Sequence, residues 1–407
     1  MRFRAAYGYL PGGQLLENAV LDVDPTSGLI CELRPVRAGE ELPGTVDLGQ
    51  VLIAPGLLNA HCHLEYSALK GQIASGLSFT SWIKEIVRLK TAMSPDELCA
   101  QLPAALAELT ASGVTTLADN LSLDLTASVL RAAPLRAVLL FECLDFLPEN
   151  SERAFAALLD RIAKAGELAP GECGFAPHGP HSVSPALLTR IAHEAASTNR
   201  TVSIHAAETR EEVEFFLKGS GPIAQLKREF GTLPEDWTCP HSSPIRHLAQ
   251  CGALSGRTLL IHATHPQPGD IKLIAQAGSS VVYCPGTHRF FKRGPYPFGD
   301  YLKAGINLCI GTDSLASNES LDLMRELRLA RRAHPATPAS SLIDTVTRFP
   351  ARALGLIDRG SLEPGKLADL SVWDWPYRCL EEWLEDDQPH CTGVYLGGIK
   401  VNSAHGE

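Results

Sequence analysis

VLIAPGLLNAHCH, residues 51–63, is an apolar run that ends on two histidines separated by one residue. Side chains on a strand alternate faces with a period of two, so His61 and His63 point the same way and can reach one metal ion. Taken alone, the pair also reads as two solvated or hydrogen-bonded histidines. The rest of the chain decides between these readings.

Working outward, seven further runs share this texture: VTTLADN (114–120), LRAVLLFECLD (135–145), CGFAPHGPHS (173–182), TVSIHAAET (201–209), TLLIHATH (258–265), SVVYCPGTHRF (280–290) and INLCIGTDS (306–314). Helical patterns lie between them at Phe79–Thr91, Pro95–Ala111, Ser151–Lys164, Pro185–Ala196 and Ser320–Arg332, with Ser94 as an N-cap and Pro95 at the first helical position. Eight strand–helix units predict an α/β fold, a (β/α)₈ TIM barrel. An open doubly wound sheet is the alternative, but no Gly-x-Gly-x-x-Gly follows the first strand.

The chain ends differ in character. Residues 1–50 carry short alternating runs (ENAVLDVD, GLICELRP, GTVDLG) broken by Pro and Gly, and GSLEPGKLADLSVWD (360–374) and CTGVYLGGIKVN (391–402) share that pattern. They predict one small composite β-sandwich from residues 1–54 and 360–407, around a barrel at 55–359. Two separate β caps would be the other arrangement.

Acids outnumber bases by 46 to 36, a net charge of −10, which argues against a nucleic-acid groove or an anionic membrane surface as partner. A small-molecule substrate fits better. The 11 cysteines show no Cys-x-x-Cys spacing and many sit in apolar runs, as reduced core residues do. With no apolar stretch of about 18 residues, the chain reads as a soluble cytoplasmic protein.

Catalytic groups of such barrels sit at the C-terminal ends of the strands. Those ends carry His61, His63, Asp119, Glu142, His178, His181, His205, Glu208, His262, His265, His288, Arg289 and Asp313. A mononuclear centre needs three or four N/O ligands and an open position. His61, His63 and His205 are available, and Asp313 completes the ring from strand eight. Individually, His205 could be a core histidine and Asp313 a helix N-cap; together, at these strand ends, they favour a metal.

The segments PGLLNAHCHLE, SIHAAET, LLIHATH, GTDSLASN and LEPGKLADLSVWD resemble the amidohydrolase superfamily, in particular its cytosine, S-adenosylhomocysteine and chlorohydrolase-like deaminase branch. The resemblance runs from about Asn18 to Val401. It implies a distorted barrel with a composite β-sandwich, one Zn²⁺ or Fe²⁺ held by His61, His63, His205 and Asp313, and, by family analogy, a homodimer. Binuclear members carry a carboxylated lysine at the end of strand four. Here that strand ends FAPHGPHS without a lysine, which favours one metal and deamination.

Metal coordination lowers the pKa of water from about 15.7 to about 7. An adenine-type amidine is a poor electrophile, so an acid must protonate its ring nitrogen. Glu208, three residues after His205, matches the His-x-x-Glu motif of the resembling deaminases, although alone it reads as a first-turn helix glutamate like Glu211 and Glu212. Asp313 is expected to take a proton from the water, and His262 to hydrogen-bond the attacking oxygen. His265 falls further into its loop. The zinc deaminases of nucleic acids pair His-x-Glu with Pro-Cys-x-x-Cys; His63-Leu64-Glu65 supplies the first half and nothing supplies the second.

FTSWI (79–83), APHGPHS (176–182) and YCPGTHRFF (283–291) resemble a branch that includes aminodeoxyfutalosine deaminases. It implies 6-amino-6-deoxyfutalosine, an intermediate of menaquinone synthesis, as the substrate. That molecule carries a benzoate, for which Arg289, assisted by His288, would supply the cation; otherwise Arg289 is a surface residue in a basic run with Lys292 and Arg293. His178 is expected at base or ribose, Trp82 as a wall of the purine pocket, and Glu142 at a sugar hydroxyl. The rival readings are a hydrolase of another purine, a pterin or a triazine, and a non-catalytic barrel scaffold.

Overall fold

The computed structural model describes residues 1–166 and 172–401. The last six residues of the expected terminal segment, 402–407, therefore lie outside the described residues.

Residues 51–63 form two strands where the sequence pattern predicts one: Val51–Pro55 and Leu57–Cys62. Gly56 separates them because the chain changes sheets there. Its N–H donates to Asp369 O, the next N–H donates to Gly113 O, and a Cβ at Gly56 would lie 2.2 Å from the Thr115 side chain. Val51–Pro55 pairs antiparallel with Leu370–Asp374 and parallel with Arg2–Tyr9, and this joins both chain ends in one mixed eight-stranded sheet. Phe3, Leu21, Ile53, Leu370, Val372 and Tyr395 form its core.

Leu57–Cys62 opens the barrel. The seven strands that follow are Val114–Leu121, Arg136–Cys143, Cys173–Pro177, Thr201–Ala206, Thr258–His262, Ser280–Tyr283 and Leu308–Ile310, all parallel and paired in chain order. Closure between the last and the first comes from a parallel bridge, Cys62 to Asp313, in which the Asp313 N–H donates to His61 O at 3.0 Å. The (β/α)₈ barrel with a composite terminal sheet is the architecture the sequence pattern predicts.

Several helices start where capping chemistry dictates. Ser184 accepts from the Leu187 N–H ahead of Pro185–Thr198, and Asn199, at φ 52°, ends that helix in the left-handed conformation. Ser151–Lys164 falls on its expected limits and buries Phe155, Leu158 and Ile162 along one face. The single helix expected over Pro95–Ala111 is two, Pro95–Cys99 and Leu102–Ala111. The helix expected from Ser320 begins at Leu323 because Asp322 is its N-cap, while the Ser320 hydroxyl donates to Glu108. No helix among the described residues is long and apolar enough to cross a membrane.

Candidate active site

Strand alternation brings the polar residues together. The face of strand three that carries Val138 and Leu140 presents Glu142 one step further on, and the face of strand five that carries Ser203 presents His205. The chain then leaves several strands in strained geometry: Ala207, His262, Ala263 and Asp313 all have positive φ, between 45° and 66°. Non-glycine residues adopt that conformation at a cost and only where the surroundings enforce it, and such residues cluster at functional sites.

One ring nitrogen each from His61, His63 and His205 falls within 4.8 Å of the others, and all three residues are buried. Asp313 closes the group, with Oδ1 3.6 Å from His61 Nε2 and 3.9 Å from His63 Nε2. Its oxygens also accept from the Ser314 N–H and the Ser317 hydroxyl. The donor set fits a metal ion. Both ring nitrogens of His61 and Nδ1 of His63 are buried without a hydrogen-bond partner, and a cation would satisfy the one lone pair that each neutral ring offers. His205 Nδ1 lies 2.8 Å from His178 O, and a carbonyl only accepts, so Nδ1 carries the proton and Nε2 is left as the donor to metal.

Burial pulls the pKa of His61 down and that of His63 and His178 well down, and takes His262 to about 3, so these imidazoles are neutral, the form that coordinates metal. Burial alone would raise Asp313, but the imidazoles of His61, His262 and His63 around it hold it well below the carboxylate range. Glu208 behaves alike: against the effect of burial, His262 and Arg293 lower it to about 2. Its Oε1 lies 2.5 Å from Arg293 Nη2 and 3.6 Å from His262 Nε2. The Glu208 loop is anchored by Glu212, whose carboxylate accepts the Ala207 and Glu208 N–H groups while Thr209 caps the helix Arg210–Lys218.

His63, His205, Glu208, His262 and Asp313 line a cavity of about 540 Å³, together with Trp82, Glu142 and His178. Trp82 forms part of the wall, with its indole N–H donating to Ala316 O at 3.0 Å. His178 Nδ1 lies 2.7 Å from the Ser182 hydroxyl. Glu142 is buried with Oε1 unpartnered, and burial pushes its pKa up to about 8. Lys90 in the same wall donates to Tyr66 and Ser122.

Two expected residues lie elsewhere. YCPGTHRF does not continue strand seven; after Tyr283 the chain turns at Cys284 into a short helix, Pro285–Phe290. That turn carries Arg289 to an exposed position, and His288 Nε2 meets Gly294 O at 2.6 Å, so neither lines the cavity. The arginine that does reach the site is Arg293, one of the surface residues of the expected basic run. His265 lines a separate depression with Pro266 and Pro297. Glu65, the second half of His-x-Glu, accepts three backbone N–H groups from Ser122, Leu123 and Leu125 and serves to anchor a loop.

The Amidohydrolase family profile matches residues 52–398. The chain belongs to the amidohydrolase family. It is 30% identical over 331 residues to an aminodeoxyfutalosine deaminase of Deinococcus radiodurans, covering 78% of this chain and 75% of that one. It is 32% identical over 356 residues to a 5-methylthioadenosine/S-adenosylhomocysteine deaminase of Teredinibacter turnerae, covering 83% and 74%. Among solved structures, a zinc-bound adenosine deaminase from Xanthomonas campestris superposes with a TM-score of 0.81 at 26% identity, over 98% of this chain and 92% of that one. An aminofutalosine deaminase of Helicobacter pylori in complex with methylthio-coformycin gives 0.84 at 22%, over 98% and 100%, and shares the fold. The amidohydrolase chain is thus a hydrolytic deaminase of the adenosine type that uses a divalent metal.

Proposed function

We propose that this amidohydrolase removes the exocyclic amine of an adenine-type nucleoside, with 6-amino-6-deoxyfutalosine as substrate, and that His61, His63, His205 and Asp313 hold one divalent metal, Zn or Fe. The observation that carries the reading is the position of Glu208, 3.6 Å from His262 and in the same cavity as His63, His205 and Asp313. A Zn or Fe ion bound there supplies the Lewis acidity that makes water nucleophilic at neutral pH.

The chain's own residues manage the protons. Water adds to the ring carbon that bears the amine. One of its protons passes through Glu208, which starts as a carboxylate, to the adjacent ring nitrogen. The second passes by way of Asp313 to the amine, which leaves as ammonia while the ring carbonyl forms. His262, neutral and buried beside Glu208 and Asp313, hydrogen-bonds the attacking oxygen. Trp82 walls the purine, His178 contacts base or ribose, and Glu142 accepts from a sugar hydroxyl. A 5-methylthioadenosine/S-adenosylhomocysteine substrate is the second reading, favoured by the relatives that act on those compounds.

Ammonia release by metal-loaded protein tests both, using 6-amino-6-deoxyfutalosine, S-adenosylhomocysteine, methylthioadenosine and adenosine against guanine, a pterin and a triazine. The expected result is turnover of adenine nucleosides, fastest for 6-amino-6-deoxyfutalosine and abolished by chelation. Turnover of the second set alone would overturn the proposal. Purified protein without stoichiometric metal, with His61→Ala unchanged in stability, would point to a scaffold.

A further inference from the structure

The cavity that holds the donor set also reaches the helix Pro222–Glu229 and the segment after it, where Ile223, Leu226, Lys227 and Phe230 join Phe146 in its wall. Lys227 is out of place in this company. Only 6% of the residue is exposed, and its ammonium makes no ion pair or hydrogen bond among the described residues. Its neighbour is the face of Phe146, with Nζ 3.5 Å from the ring centroid. Burial alone brings its pKa down to about 7. Lysines on apolar surfaces ordinarily extend the ammonium into water, and this one is held inside.

The other charges of the region are engaged. Lys90 donates to Tyr66 and Ser122, and Arg293 holds Glu208. Glu229, on the same helix as Lys227, pairs with Lys84 of Phe79–Ala92 at 2.5 Å, and Asp145 accepts from the Leu147 N–H and from Asn150. Arg289 faces solvent. Lys227 is therefore the cation in this cavity with neither an anion nor a hydrogen-bond acceptor among the described residues, and its surroundings of Phe146, Ile223, Leu226 and Phe230 accept an apolar group.

We propose that Lys227 binds a carboxylate carried on an apolar tail of the substrate, so that the pocket selects acidic adenine nucleosides over neutral ones. This rests on the aminohydrolase reading and gives it a specificity residue. A carboxylate entering the slot exchanges its hydration for a buried charge-assisted hydrogen bond, and the Phe146 ring can pack against an aryl or alkyl tail.

The test uses Lys227→Met, which keeps the stem and removes the charge, with Lys227→Gln as a second neutral variant and Lys227→Arg as the charge-retaining one. Calorimetric titration of metal-loaded protein with benzoate and with benzamide reads the slot without turnover. Benzoate should bind wild type more tightly than benzamide, and the neutral variants should weaken benzoate about 10- to 100-fold, the usual weight of a hydrogen bond to a charged group, with benzamide unchanged. Lys227→Arg should keep the preference. Steady-state rates should follow: the neutral variants raise KM for 6-amino-6-deoxyfutalosine and leave methylthioadenosine untouched. Equal losses on acidic and neutral substrates, or no preference for benzoate in wild type, would overturn the assignment. If no adenine nucleoside is turned over, the aminohydrolase reading falls and the benzoate titration still decides the role of Lys227.

Discussion

Glu208 shows how a single side chain is made fit for proton transfer. An isolated buried carboxylic acid would stay protonated, but the Arg293 guanidinium, with Nη2 at 2.5 Å, keeps this one ionised. A carboxylate in contact with substrate can accept a proton and return it; an amide cannot. Glu208→Gln is expected to lower kcat by about 10²-fold or more, on the scale of general acid–base catalysis. Metal content should not change, because His61, His63, His205 and Asp313 are untouched. The variant also leaves Arg293 without its carboxylate, so its melting temperature is measured alongside to separate lost chemistry from lost fold. Near-normal kcat in a metal-replete, folded variant would remove Glu208 from the mechanism.

Elements decide which residues reach the site, and strand eight against strand one is the tightest case. A Cβ at Gly311 would lie 2.8 Å from His61 O and 2.9 Å from both His61 N and His61 Cβ. Only glycine lets the two strands close, and the strand it would displace carries His61. Gly311→Ala is expected to cost about 1–3 kcal/mol, as overpacking does, and to weaken metal binding. Gly299→Ala, in the helix Phe298–Lys303 with nothing within 4 Å of the added methyl, should be neutral or slightly stabilising. Thermal midpoints and metal titrations compare the two; equal metal affinity would separate strand closure from the site. Element scale is also where sequence reading succeeds and stops. Eight apolar runs and the His61-x-His63 spacing are local signals, so the barrel and the strand-end histidines could be read without coordinates. Gly56, where one run becomes two strands, depends on Thr115 from the next strand. Arg289 and Arg293 sit four residues apart in one basic run, and only the turn after Tyr283 determines which points inward. Lys227 lies on an eight-residue amphipathic helix, on the face of Ile223 and Ala224, but a lysine there reads as one that extends into water, and what it packs against is Phe146, far away in the chain.

At the scale of the molecule, the question is whether the terminal sheet is an appendage or part of the barrel's stability. One continuous core answers in favour of the second: Tyr9, Leu52 and Trp373 from the sheet pack in the same cluster as Leu109, Val114 and Leu139 of the barrel layer. Asp369 pins the junction. Its carboxylate accepts from Arg136 of barrel strand three, at 2.6 Å, and from the Gly397 N–H, while its carbonyl accepts from Gly56. Arg136→Ala leaves Asp369, with 2% of its side chain exposed, without its cation, and a loss of about 1–3 kcal/mol is expected. Helix signal by circular dichroism reports on the barrel, whereas three of the five tryptophans, Trp373, Trp375 and Trp383, are buried in the C-terminal part of the chain and make fluorescence its probe. If the shared core couples the two parts, both signals should follow one urea transition, and Arg136→Ala should move them together to lower denaturant. A fluorescence transition that shifts while the helix signal stays in place would show that the sheet unfolds by itself, and that Arg136 serves the sheet alone.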